Sequence, residues 1–332
     1  MKILKPIIHA LIALGAVVAA PGAAAQNDML ASQHYEVPAL YNPAATGLGD
    51  LVKIRAGSRL QWVGVDNAPK SFFGVADSPF KLGKRRAGAG LTVMQESMGL
   101  FDNLQFSVSV SFKIRLLGGT LSVGLQPGLL TSKFKGSEVF IPDDDDYHQE
   151  TDEAIPRTDV SGTAVDLGAG VWYERRGFAV GLSMTHLNGP KISLSNENNS
   201  GGQGSGVTSW SYGPERTLYF IAQGNIPVKN TLFEVLPSLM VMSDFTFTRA
   251  IATVRMSYKK LLYFGAGYRW NDAITATVGV NYRNFFIGYA YDWPTGALSK
   301  ASSGSHEIIA GYSVKLDLGD RNRHRQKSIR LM

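Results

Sequence analysis

Ser305, His306 and Glu307 stand side by side, and a hydroxyl, an imidazole and a carboxylate are the parts of a nucleophilic relay. Neighbours on a strand point to opposite faces, so His306 and Glu307 cannot share a proton path, and no catalytic residue is expected. Asp143 to Asp146, with Glu150, Asp152 and Glu153, offers oxygen ligands of the kind calcium takes. The alternating spacing and glycine of an EF-hand loop are missing, which leaves a solvated acidic loop. Gly201-Gly202-Gln203-Gly204-Ser205-Gly206 lacks the preceding strand and following helix of a phosphate cradle and reads as a flexible loop. The chain has no cysteine, which excludes disulfides and thiolate metal sites. Neither a metal site nor a cofactor is expected.

The elements carrying these residues are strands. From Leu104 to Leu116, leucine, phenylalanine, valine and isoleucine interleave with Gln105, Ser107, Ser109, Ser111, Lys113 and Arg115. The same split recurs at 273–282 and 306–316. A period of two over such lengths means one apolar and one polar face. Strands of a soluble sandwich run about 5–6 residues, whereas crossing a bilayer with tilt takes about 9–11. The sequence therefore predicts an all-β fold, a transmembrane antiparallel barrel. Its strands, about 14, fall near 51–63, 70–80, 87–97, 103–115, 120–134, 162–174, 178–186, 215–226, 231–241, 247–258, 261–270, 273–282, 285–292 and 306–318. The mean hydropathy of −0.04 fits strands that face water on one side. On alternation alone, Val108→Arg faces lipid and is costly, while Ser109→Arg faces the lumen and is milder.

Lys2 and Lys5 precede the apolar run Ala10 to Ala20, and Ala23-Ala24-Ala25 offers a cleavage site before Gln26. Residues 1–25 thus read as a signal peptide. The remainder divides into a periplasmic N-terminal segment, 26–50, acting as a plug or docking segment; the barrel, 51–318; and a basic periplasmic tail, 319–332. The connections sort by parity. Those after even-numbered strands are short and basic, holding Arg85 and Arg86, Arg175 and Arg176, or Lys259 and Lys260, while 135–161 and 187–214 follow odd-numbered strands. Outer-membrane barrels have short periplasmic turns and longer external loops, which puts both termini in the periplasm and the acidic loop outside.

Tyr41-Asn42-Pro43-Ala44-Ala45-Thr46-Gly47 resembles the asparagine-proline-alanine motif of the PorP/SprF family, outer-membrane proteins of the type IX secretion system in Bacteroidota. Arg59 to Gly64 with Trp62, then Pro69 and Asp77-Ser78-Pro79, are similar to its first hairpin. Gly288 to Asp292 and Gly304 to Glu307, including His306, are similar to its last strands. Ala45-Thr46 and the tail Arg321 to Met332 depart from the family pattern. The resemblance implies a non-enzymatic barrel, in some members linked to gliding motility. Such a barrel works with periplasmic secretion components or holds an exported protein by its C-terminal domain.

Asn42-Pro43 itself reads as a rigid turn. Trp62, Trp172, Trp270 and Trp293 lie near strand ends, as membrane-interface aromatics do. Lys53, Arg55, Arg59, Lys113, Arg255, Arg269 and Lys315 against Asp166, Asp292, Glu307 and Asp317 suggest a lumen filled by a mixed-sign network. A selectivity filter would concentrate one sign. The net charge is +6. A basic periplasmic face meets no nucleic acid, so Arg85, Arg86, Arg175, Arg176, Lys259 and Lys260 are candidates for contact with acidic lipid headgroups or an acidic protein. The competing reading is an outer-membrane transporter for a small hydrophobic solute, with 26–50 as its hatch.

Overall fold

A computed structural model describes residues 28–83, 85–139, 158–194 and 210–316. Fourteen strands build the wall: β1 (Leu51–Leu60), β2 (Lys70–Leu82), β3 (Arg85–Met98), β4 (Phe101–Leu116), β5 (Gly119–Phe134), β6 (Val160–Arg175), β7 (Phe178–Thr185), β8 (Thr217–Gly224), β9 (Phe233–Ser243), β10 (Thr248–Tyr258), β11 (Leu262–Arg269), β12 (Ala273–Tyr282), β13 (Phe285–Pro294) and β14 (Ser305–Lys315). Each pairs antiparallel with the next, and β14 returns to β1 in a register running from Leu51 opposite Lys315 to Leu60 opposite His306. The pairing closes on itself, which satisfies most of the backbone between neighbours, as a lipid environment demands; the first part of β6, residues 160–168, pairs with β5 alone, since its ladder to β7 begins at Ala169. Ile226–Pro227 adds a short pairing at the start of β9.

Alternation sorts the side chains as the period predicts. Along β4, Leu104, Phe106, Val108, Val110, Phe112, Ile114 and Leu116 are exposed outward, while Ser107, Ser109 and Ser111 are buried inward. Aromatics mark both rims. Tyr268 with Trp270 and Tyr291 with Trp293 sit at the end carrying the long connections; Phe233 with Tyr258 and Phe285 with Tyr312 sit at the short-turn end. Trp172 departs from this arrangement. It shares the inward parity of Asp166 and is 2% exposed, packed against Gly181, so it belongs to the lumen and not to a rim. Strand β14 ends at Lys315, and Asp317, the tail, the acidic loop 143–153 and the glycine run 201–206 lie outside the described residues.

Short turns join the strands at one end. Leu117-Gly118, Arg176-Gly177 and Lys259-Lys260 carry positive φ at both residues, the backbone that matches hairpin twist. Lysine in that region costs about 1–2 kcal/mol per residue, so Lys259 and Lys260 are not explained by turn propensity. At the other end, Ile192–Leu194 pairs with Trp210–Tyr212. Ile192 and Leu194 pack on Leu130, Phe134 and Val160, capping part of that mouth.

The N-terminal segment occupies the lumen. It forms three short helical turns, His34–Glu36, Pro38–Tyr41 and Pro43–Ala45; the second and third cluster with inward residues Phe73, Trp172, Tyr219, Met240, Ile251, Phe286 and Ile309, and Tyr35 of the first lies against the Arg255 guanidinium. Asp28 contacts Thr185 and His186 at the long-connection end, whereas Asp50 pairs with Arg86 at the short-turn end. Residues 28–50 therefore run the length of the barrel and do not sit beneath it.

That path changes one expectation. Val108→Arg remains costly, about 2–4 kcal/mol near the bilayer midplane. Ser109, however, lies 2.9 Å from the Thr46 hydroxyl, and an arginine there would collide with the internal segment, so Ser109→Arg is not the milder change. Heat-modifiable gel migration should show both variants assembling poorly and Val108→Leu assembling normally.

Candidate functional site

The internal segment is held to the wall at named points. Arg59 on β1 reaches Asp292 on β13 at 2.6 Å and Glu307 on β14 at 3.1 Å, and Arg269 on β11 reaches the same Asp292 at 3.1 Å. All four are nearly inaccessible. Ser32 sits in the middle: its hydroxyl donates to Asp292 and accepts from Arg59 and Arg269. The Glu307 carboxylate accepts the backbone N–H groups of Ser32 and Gln33, both at 2.8 Å. Thr275 adds a hydroxyl to Asp292. Burying four charges costs several kcal/mol per ion unless each is paired and hydrogen-bonded. The two arginines and two carboxylates are each paired and hydrogen-bonded, with only the Nε atoms of Arg59 and Arg269 left without a partner, and they fasten Ser32 and Gln33.

Nearer the long-connection end, His186 lies between Asp28 (3.2 Å) and Asp166 (3.0 Å). The imidazole thus has a carboxylate on each ring nitrogen. His186 bridges Asp28 of the internal segment to Asp166 of the wall.

Toward the short-turn end, Asn42 accepts from the Ala44 N–H and donates to the Val171 carbonyl. It caps a helical turn and ties that turn to β6, so the rigid-turn reading of Asn42-Pro43 describes its local geometry. Ser183 donates to the Tyr41 carbonyl, and the Gly47 N–H donates to Asp77. The wall makes room by omitting side chains. A Cβ on Gly124 would stand 2.3 Å from Ala44 nitrogen, one on Gly170 2.3 Å from the Asn42 side chain, and one on Gly88 2.3 Å from Thr46 oxygen. Glycine inside a strand marks such close approach. Gly47, at φ +64 and with no space for a Cβ, turns the chain toward β1.

The short-turn mouth is cationic. Lys81 on β2 stands opposite Arg86 on β3, and Arg86 stands opposite Lys113 on β4, all on inward positions. With Arg115, Arg175 and Arg176, Arg86 and Lys113 surround a cleft of about 630 Å³ bounded by Leu48 and Gly49. An adjoining cavity of about 460 Å³ continues past Lys53, Arg55 and Arg255 to Tyr35 and Trp172.

The family model described as "Type IX secretion system membrane protein PorP/SprF" matches residues 23–312. The chain belongs to the PorP/SprF family. It is thus an outer-membrane β-barrel of a type IX secretion family. No curated sequence matches the chain. Among solved structures, the translocator domain of the autotransporter NalP from Neisseria meningitidis is 13% identical with a TM-score of 0.44, covering 86% of this chain and 95% of its own. The toluene transporter TbuX from Ralstonia pickettii is 12% identical with a TM-score of 0.48, covering 83% and 92%. TodX from P. putida is 10% identical with a TM-score of 0.44, covering 84% and 94%.

In this PorP/SprF chain the motif residues divide in two. Asn42, Pro43, Gly47, Asp77, Asp292 and Glu307, with Arg59, meet around the internal segment. Trp62 and His306 do not: the Trp62 N–H donates to the Ser305 hydroxyl, and His306 turns outward to the Tyr289 hydroxyl at 2.7 Å. The basic candidates divide as well. Arg86, Arg175 and Arg176 line the cleft, and Arg85 has the outward parity of β3. Lys259 and Lys260 lie beyond β7, β8 and β9 along the wall, with Lys260 3.4 Å from Glu234. Ser32, Gln33, Asp28 and His186 escaped the sequence reading; a conspicuous signal existed only for the wall, in its inward glycines.

Proposed function

We propose that this PorP/SprF barrel supports secretion or surface anchoring of exported proteins by binding protein partners, and that it does not conduct solute. The observation carrying this reading is the internal segment: Ala31, Ser32, Gln33, His34, Asn42, Ala44 and Thr46 are all 0% exposed, each enclosed by wall. A transporter needs a path past them. The partners in this reading are periplasmic components of the type IX machinery, engaged at the short-turn end, with the C-terminal domain of an exported cargo as a second class. Outer-membrane lipid surrounds the exposed strand faces. Neither a nucleic acid nor a cofactor has a role. Loop parity supports assigning the short-turn end to the periplasm.

Deleting the gene should impair secretion or surface attachment of at least one exported protein and leave uptake of small hydrophobic solutes unchanged. Normal secretion with impaired solute uptake would transfer the assignment to a transporter.

A further inference from the structure

Like charges directly opposite on paired strands destabilise a sheet, yet Lys81, Arg86 and Lys113 form such a row across three neighbouring strands. Arg115, Arg175 and Arg176 surround the same cleft. Lys81 has a contact of its own, and against these cations stand, among the described residues, Asp77, which shares Gly47 with Lys113, Glu174 on the cleft wall, and Asp50, which pairs with Arg86 at 2.8 Å. Both side chains of that pair are exposed by 40% or more, so it is worth little and is readily exchanged. Lys113 also donates to the Gly47 carbonyl, which couples the row to the internal segment.

We propose that this row and cleft form a receptor site for an acidic, extended polypeptide segment of a periplasmic protein. The site rests on the partner-binding reading above and gives it a place and a chemistry. Three rungs at the spacing of adjacent strands span about 10 Å, the reach of about three extended residues. Carboxylates on such a segment would neutralise the row through charge-assisted hydrogen bonds. Leu48 and Leu117 beside the cations suit apolar residues between the acidic ones. Lipid headgroups are the weaker fit. They surround the barrel from outside, beyond exposed Leu82, Phe112 and Ile114, whereas the row faces the axis.

The test uses the full-length mature barrel in nanodiscs and a fluorescein-labelled peptide of alternating glutamate and leucine, followed by anisotropy. Neutralising the row with Lys81→Gln, Arg86→Gln and Lys113→Gln should weaken binding by about tenfold or more, since each change removes a charge-assisted hydrogen bond. Lys259→Gln with Lys260→Gln should change nothing, and binding should fall as salt rises. Should the row variant fail to show the heat-modifiable folded band, Arg115→Gln with Arg175→Gln and Arg176→Gln tests the same cleft and should give the same loss. Equal binding by the parent and the cleft variants, no binding by the parent, or complete competition by phosphatidylglycerol vesicles would overturn the site. A secretion defect in the deletion strain without peptide binding would remove this site and leave the family role intact; peptide binding with normal secretion would do the reverse.

Discussion

Asp292→Ala should be among the most destabilising single substitutions in this barrel, costing about 3–5 kcal/mol, the usual loss when one member of a buried ion network is removed. Asp292 accepts from Arg59, Arg269, Ser32 and Thr275. Its removal strands two buried guanidinium groups with fewer partners and frees Ser32. Asp292→Asn keeps one acceptor oxygen but removes the charge and turns a donor NH2 toward two guanidinium groups, so it should also cost about 3–5 kcal/mol. Asp50→Ala breaks an exposed pair and should cost about 0–1 kcal/mol. Urea unfolding in micelles, read by gel migration, measures the three midpoints. Equal midpoints for Asp292→Ala and Asp50→Ala would mean that the cluster does not fasten the internal segment.

The second large effect concerns the wall glycines. Gly124→Leu and Gly170→Leu place side chains where Ala44, Pro43 and Asn42 now lie. The segment, not the wall, should yield, because over a dozen ladders hold the strands while the segment rests on discrete contacts. In this cysteine-free chain, Thr46→Cys provides a reporter at a residue that is 0% exposed. A maleimide should label Cys at this position in the folded Gly124→Leu barrel but only after unfolding in the parent background. Identical protection in both would show that the wall can bulge and keep the segment seated.

The strands were legible because alternation is a one-dimensional signal. The span expected at 103–115 is β4 at Phe101–Leu116, and the span expected at 273–282 is β12 at Ala273–Tyr282. Parity also fixes the direction of single side chains. Trp172 lies six residues from Asp166, so it had to face inward whatever its nearness to a strand end. Arg85 and Arg86 had to face opposite ways. The internal segment was harder, because residues 28–50 have no period and bury themselves against a wall whose parts are remote in sequence: Ser32 meets Asp292 across 260 positions. The choice between lying within the barrel and lying beneath it depends on which inward positions leave space. Gly88, Gly124 and Gly170, each inward in its strand, carried that information.

Single-channel recording in planar bilayers tests the central claim, an outer-membrane barrel whose lumen is filled by its own N-terminal segment. The mature chain should give no sustained conductance steps, and a chain lacking residues 28–47 should open a channel. Steady conductance by the intact chain, equal to that of the shortened one, would contradict the account.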